Sequence, residues 1–431
     1  MKKIIFILSL IMLIFIAMAY WSLYSTNKTF DTCEILGFSD VDDIDFKNYD
    51  SVLVAASTLY EANNIKNVMQ GAQYRKAWAT PVKVPILYLD DLEGHVKILE
   101  EGGGQQTHSL KLKRDDGTLM TLRSVSKDPS PLIPEIAETF GIENIVVDGI
   151  SAQHPYAALV VAQLSKKAEI FNTEPQLVFL PKQVELVSYN EKFGNRLFQL
   201  EYETEGNAKW LKKVNIDSLI DTDNLQELKI KYPNKVTIDE KSLVRARLFD
   251  LLIGDWDRHA KQWGWAIENI GDSINAFPLP CDRDNAFFNL EGVLPILISN
   301  QAFLPEVQSF EKEIDFLPGL ISPFDIYFMR DIPQSVFEEE ARQLQELLTD
   351  EAIMSSFTVW SNNIFELDGI EIITKIKSRR DNLLDYAIRF KKELVKAEEL
   401  SEDLKGSDNL KLTKSQMACF NCVNQEKSIE K

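Results

Sequence analysis

The stretch from residue 243 to 287 constrains this chain more than any other. It opens as LVRARLFDLLIGDWDRHAKQW and closes as PLPCDRDNAF. The opening run is apolar at helical spacing and stops at Gly254, the residue type that caps a helix in the left-handed conformation. Past that stop the chain releases Asp255, Asp257, Arg258 and His259 into a polar turn. Residues 265–269 and 274–278 then read as a hairpin about Gly271-Asp272, and its second strand releases Asp282 and Asp284. Two acidic turns, each launched from a rigid element, suit a divalent cation and a phosphorylated ligand.

The clearest β region lies upstream, over residues 96–125. A first strand leads into Gly102, Gly103 and Gly104, HSLKLK alternates as a second, Asp116-Gly117 marks a hairpin turn, and LMTLRSV returns as a third. Glycines between strands let backbone N–H groups approach phosphate oxygens, and they serve equally well as a flexible connection. Residues 51–57, 84–89, 177–180 and 196–202 read as further strands. Residues 62–78, 133–140 and 155–168 read as helices, the last with Pro155 in first position. Residues 204–240 are polar, with short helical or loop pieces. After residue 330 helices dominate, at 336–348 and 372–399.

The order is thus a β-rich half followed by an α-rich half, with the acidic turns at their junction. That is an α+β arrangement, and the cleft between two such lobes is a common ligand site. The expected boundaries are an N-terminal apolar segment over 1–22, a tether over 23–50, a β-rich lobe over 51–210, a helical lobe over 211–398 and a disordered tail over 399–431.

Charge narrows the partners. Lys and Arg number 47 against 66 Asp and Glu, a net charge of −19. General nucleic-acid binding needs a basic footprint that this chain lacks. Lys2 and Lys3 precede an uncharged run over residues 4–21, at the border between a signal-peptide core and a spanning helix. Ala17-Met18-Ala19 offers a cleavage site, whereas Tyr20 and Trp21 suit a membrane interface. Both readings, a cleaved signal and a retained anchor, put the remainder outside the cytosol. Cys33, Cys281, Cys419 and Cys422 are too few for a disulfide-built fold, and the lone CxxC at 419–422 reads as a tail disulfide or two thiols rather than a zinc site. The chain has no GxSxG elbow, phosphate-binding P-loop pattern or dinucleotide fingerprint.

Phosphoryl transfer asks little covalent work of a protein. It needs a carboxylate to orient the attacking hydroxyl, metal ions bridging phosphates, and a cation on the donor phosphates. Asp257 is the candidate for the first role. Asp282 and Asp284 are candidate ligands for Mg, with Gln262 placed to add an amide oxygen. Arg123 and Lys127, following the glycine hairpin, are candidates to meet the phosphates of ATP or another nucleotide. The plain structural alternative is an internal Asp257–Arg258 ion pair with His259 satisfied in the interior. Trp256, Trp263 and Trp265 read as packing residues rather than a carbohydrate platform, and His154 as a helix-start residue.

This constellation resembles the atypical protein-kinase-like fold, whose members include HipA-type toxin kinases, secretory-pathway kinases and spore-coat kinases. Their catalytic loop of the Asn-x-Asp-x-His or Asp-Arg-His type is matched by Gly254-Asp255-Trp256-Asp257-Arg258-His259, and their acidic metal motif after a strand by Pro280-Cys281-Asp282-Arg283-Asp284. The segments RSVSKDPS, HPYAALVV, TEPQLVFLP and FGNRLF, in that order, resemble a group of bacterial envelope proteins carrying such a domain. The likeness spans about residues 52–397 and implies a two-lobed kinase-like fold. It implies Asp257 as catalytic base, His259 as a structural member of the loop, Asp282 as principal metal ligand and Asp284 as a second ligand or structural partner. It also implies a nucleotide and a protein, sugar or lipid acceptor as partners. Three positions depart from the pattern: Arg123 stands where those kinases carry a strand lysine, Gln262 replaces an Asn, and Asp255 replaces the Asn of the HipA-type loop. Glu135, Glu138 and Asp148 compete for the helix carboxylate that would pair with the lysine. The alternatives to a phosphotransferase are a pseudokinase scaffold and a metal-dependent phosphohydrolase.

Overall fold

The computed structural model describes residues 2–23, 33–37, 41, 44–103, 107–128, 133, 135–211, 215–299, 304–404, 410 and 412–424. The molecule is α+β, with sheets concentrated in the N-terminal half and helices in the C-terminal half. Strands β1 (Glu34–Leu36), β2 (Ser51–Ala55) and β3 (Val82–Pro85) form an antiparallel sheet. Strands β4 (Val96–Gly102), β5 (Ser109–Arg114), β6 (Leu119–Ser124), β7 (Gln176–Leu180) and β8 (Arg196–Tyr202) form a second one in the order β4-β5-β6-β8-β7. Alternation decides its faces. Leu110 and Leu112 of β5, Leu122 of β6, Val178 and Leu180 of β7 and Phe198 of β8 share one buried core.

A third sheet takes β9 (Ser218–Asp221), β10 (Val236–Ile238), β11 (Trp263–Ile270) and β12 (Ser273–Pro280) in the order β10-β12-β11-β9. Its β11–β12 hairpin turns at Gly271, as expected, and β10 joins β12 in parallel. Helix Glu240–Ile253 runs through the main core. Asp239 caps its start by accepting from the Ser242 N–H at 2.8 Å. Gly254 ends it at φ 71° and ψ 27°. Between the caps its side chains are buried almost all round, and the one buried arginine among them that faces helix Pro323–Met329 pairs with it: Arg247 meets Asp325 at 2.7 Å.

Several elements differ from the sequence expectation. The helix expected over 62–78 breaks into Asn64–Gln70 and Arg75–Ala79, because Gly71 adopts φ 91° and a side chain there would strike the Glu291 carbonyl. The tether expected over 23–50 supplies β1, and Phe46 packs into the core. The polar stretch 204–240 contains β9, helix Thr222–Lys231 and β10. The long helix expected over 372–399 is two, Ile370–Asp381 and Leu383–Lys396. The tail expected to be disordered includes helix Lys414–Ala418 and a Cys419–Cys422 disulfide, and Phe420 packs on Tyr327 and Phe328.

Helix Lys2–Leu23 is long and apolar enough to cross a membrane and buries none of its apolar window. Among the described residues of this helix, Ser22 and Leu23 at its foot are the ones buried against the body.

Candidate functional site

The acidic turns are built on one buried carboxylate. Asp250, in the last turn of helix Glu240–Ile253, accepts Arg283 Nε at 2.9 Å on one oxygen and faces Arg258 Nε at 3.1 Å with the other. Arg258 then reaches forward, donating to the Cys281 carbonyl at 2.9 Å and to the Gln262 carbonyl at 3.2 Å, with its guanidinium over the Trp263 ring. Arg283 donates to Ser165 Oγ at 3.0 Å. The 255–262 turn and the 281–285 turn are therefore fastened to the same helix and to each other. The Asp257–Arg258 ion pair weighed from sequence is not the arrangement found, since Arg258 turns to Asp250 and Asp255 instead.

Beside this framework runs a narrow cleft between the five-stranded sheet, helix Ala157–Lys167 and the exit of β12. Arg123, Lys127, Asp282 and Asp284 all line it. Arg123, near the end of β6, pairs with Glu201 of β8 and stands 4.0 Å from Asp282. Glu201 also accepts from the Thr173 hydroxyl. Lys127 pairs with Asp284 and donates to Thr107 Oγ1 at 3.1 Å. Asp282 sits at φ 54°, a backbone region that costs a non-glycine residue strain.

The electrostatics split the two aspartates. Burial pushes the Asp282 carboxyl up, but Arg123, then Lys127, Arg258 and His259 outweigh it and hold the group below the usual carboxylate range. Burial also pushes Asp284 up, and the neighbouring Asp282 charge adds to that, against Lys127. Burial works against the charge on Arg123, yet Asp282 and Glu201 keep it firmly protonated. Of the two, Asp282 is the aspartate whose charge its surroundings favour, and its side chain is 34% exposed.

The remaining candidates do not line the cleft. Asp257 accepts from Gln262 Nε2 at 3.4 Å, which occupies the amide expected at a metal. His259 is close enough for its charge to act on Asp282. Gly102 ends β4, and Gly103, at φ 88°, turns where a side chain would collide with the Thr107 carbonyl. Gly104 lies outside the described residues. Asp255 lines a separate cavity, together with Gly254, Trp256, Gln308 and Arg379.

Of the carboxylates considered as partners for the strand cation, Asp148 is committed elsewhere, to Lys66 at 3.0 Å and to Arg75. Glu135 is exposed, and the Glu138 side chain lies outside the described residues. The carboxylate that does pair with Arg123 is Glu201, which the sequence reading missed. Its signal was present: Arg123 lies opposite Gln199, and Glu201, two residues along β8, shares that face. Trp263 and Trp265 are buried against Phe324, in keeping with packing roles. His154 precedes its helix, accepts the Tyr156 N–H at Nδ1 and faces Asp368 at 3.4 Å.

The donor set fits Mg in one specific manner. Mg²⁺ keeps several waters and takes one or two carboxylates together with ligand phosphates. Asp282 offers one ionised oxygen donor, and Arg123 and Lys127 beside it suit the accompanying phosphates. Among the described residues the carboxylates at 257, 282 and 284 do not gather as a ready three-ligand cage. The ligand atoms that lie within 4.8 Å of one another are those of Asp331, Cys419 and Cys422, where the two sulfurs are already joined.

No protein-family model matches this chain, and no curated protein does. Among solved structures, the Helicobacter pylori proinflammatory kinase CtkA is similar at 13% identity and a TM-score of 0.35, over 70% of this chain and 98% of that one. HipA of Shewanella oneidensis, solved with HipB and operator DNA, is similar at 10% identity and a TM-score of 0.30, over 74% of this chain and 78% of that one. Nothing about the site follows from likenesses of this size.

Proposed function

We propose that the chain is a kinase-like phosphotransferase of the bacterial envelope, held at the membrane by helix Lys2–Leu23. The observation that supports it most is the meeting of Arg123, Lys127, Asp282 and Asp284, from two separate parts of the fold, in one cleft. Two cations beside a carboxylate that they hold ionised suit a Mg-nucleotide: Arg123 offers a planar fork to phosphate oxygens, Lys127 a point charge, and Asp282 a metal ligand. Bound Mg would neutralise charge that develops on the transferred phosphoryl group. In this reading Asp257 orients the acceptor hydroxyl and Arg258 fixes the loop that carries it.

A pseudokinase scaffold is the second reading. It is favoured by the engagement of Asp257 with Gln262 and by its place outside the cleft lining.

The test has two stages. Mg-ATP is expected to raise the melting temperature of the full chain, and ATP with chelator to raise it less. Asp282→Ala should remove the Mg-dependent part; a shift that survives this substitution removes Asp282 from the metal site. Phosphate incorporation or release is then measured. Turnover that is lost in Asp257→Ala supports the phosphotransferase, binding without any turnover supports the scaffold, and turnover that persists in Asp257→Ala rules out the assigned base.

A further inference from the structure

The foot of the N-terminal helix is fastened to the body at three points. Gln70 Nε2 donates to Ser22 Oγ at 3.0 Å, Asn144 Nδ2 donates to the Leu23 carbonyl at 3.2 Å, and the Tyr20 hydroxyl donates to the Phe140 carbonyl at 2.9 Å. A rod pinned in this way carries specific elements of the body to whatever surface the rod enters. Those elements are helices Asn64–Gln70, Glu135–Phe140 and Asn144–Gly149, with Val293–Ile298 locked beside the first. The lock is tight. Gly71 and Gly292 approach backbone to backbone, and the Glu291 carboxylate accepts from the Ala72 and Gln73 N–H groups at 3.2 and 3.3 Å.

These elements carry large apolar side chains in the open. Val68, Phe140, Val293, Ile296 and Leu297 are 40–60% exposed. Scattered exposed apolar residues are ordinary, but five on elements grouped about one point mark a contact surface.

We propose that this face rests in the headgroup–acyl boundary of the bilayer that helix Lys2–Leu23 crosses, so that the body is held flat on the membrane rather than hanging from a free tether. The inference rests on the reading of that helix as a retained anchor. A 22-residue helix spans roughly 33 Å at 1.5 Å per residue, enough for the hydrocarbon core. Tyr20 and Trp21 then fall at the interface, next to the same elements. The chain's net charge of −19 gives anionic lipid no attraction to offer, so the contact is apolar and needs no particular headgroup.

The cysteine chemistry permits a direct test on the full chain. Cys33 and Cys281 are buried, burial pushes both thiols up to about 12, and Cys419 and Cys422 are joined, so one engineered thiol can be labelled selectively. Leu297→Cys and Val68→Cys carry a fluorophore in phosphatidylcholine nanodiscs doped with nitroxide lipid. Leu8→Cys, within the helix, and Ile270→Cys, at the β11–β12 turn, serve as references. The expected result is strong quenching at 8, quenching at 297 and 68 about threefold above that at 270, and no dependence on protein concentration. Quenching at 8 with 297 and 68 no different from 270 overturns the resting face and leaves the anchor standing. No quenching at 8 overturns the anchor and this inference with it. Protection of 297 that grows with protein concentration, without quenching, assigns the face to a second copy of the chain and likewise overturns the proposal.

Discussion

Two aspartates from the two acidic turns show how environment sets a carboxylate's charge. Asp282 is held ionised by the cations around it, whereas Asp255 is 2% exposed and neither of its oxygens accepts a hydrogen bond. Burial pushes Asp255 well above the usual range; Arg258, at 3.7 Å, pulls the other way, and Asp250 and Asp284 add to the rise. A carboxyl whose folded value lies above its unfolded one stabilises the fold at low pH and loses that contribution as pH rises through the folded value. Asp255→Asn should therefore stabilise the chain by about 1–2 kcal/mol at neutral pH, with the gain shrinking toward pH 4. Urea titrations at several pH values check this, and a gain that is flat with pH contradicts it.

At the scale of elements, the sharpest constraint is the end of helix Glu240–Ile253. Gly254 is left-handed, and a methyl group there would sit 2.6 Å from the Phe310 ring and 3.2 Å from the Arg379 guanidinium. Gly254→Ala is expected to cost about 2 kcal/mol or more, read as a lower urea midpoint with unchanged slope. This stop was legible in the sequence, because an apolar helical run followed by glycine has few alternatives. The β11–β12 hairpin and the strands of the second sheet were legible for the same kind of reason, since alternation fixes a strand's faces without reference to its partners. What was not legible depends on pairing across distance. Glu201 looks like one polar residue in an alternating strand until β6 is laid beside it. Arg258 could have turned to Asp257 as easily as to Asp250, and only the fold decides between them. The short strands β9 and β10, set in a polar stretch, exist because β11 and β12 offer them edges, which no local pattern records.

For the whole molecule, the body near the N-terminal helix is secured by charge as well as by apolar packing. Asp148, 1% exposed, answers both Lys66 and Arg75, which are also buried. Removing this carboxylate takes a shared anion away from two buried cations. Asp148→Ala is expected to destabilise the chain by about 3–5 kcal/mol. The loss should appear in global unfolding, and a change below about 1 kcal/mol would mean that the cluster opens to water. The burial of Lys66 holds its ammonium below the ordinary lysine value even with Asp148 present, so the neighbourhood already tolerates little further loss of compensation.

The joint at Asp250 bears on how defective variants of this chain are to be interpreted. One hidden carboxylate clips both loops, through Arg258 and Arg283, to the end of a helix. Under the proposed function, a screen for inactive variants would return 250, 258 and 283 as readily as 282, and would rank fasteners among reagents. Only rescue experiments and ligand titrations, not the severity of a phenotype, can tell the clip from the tool it holds.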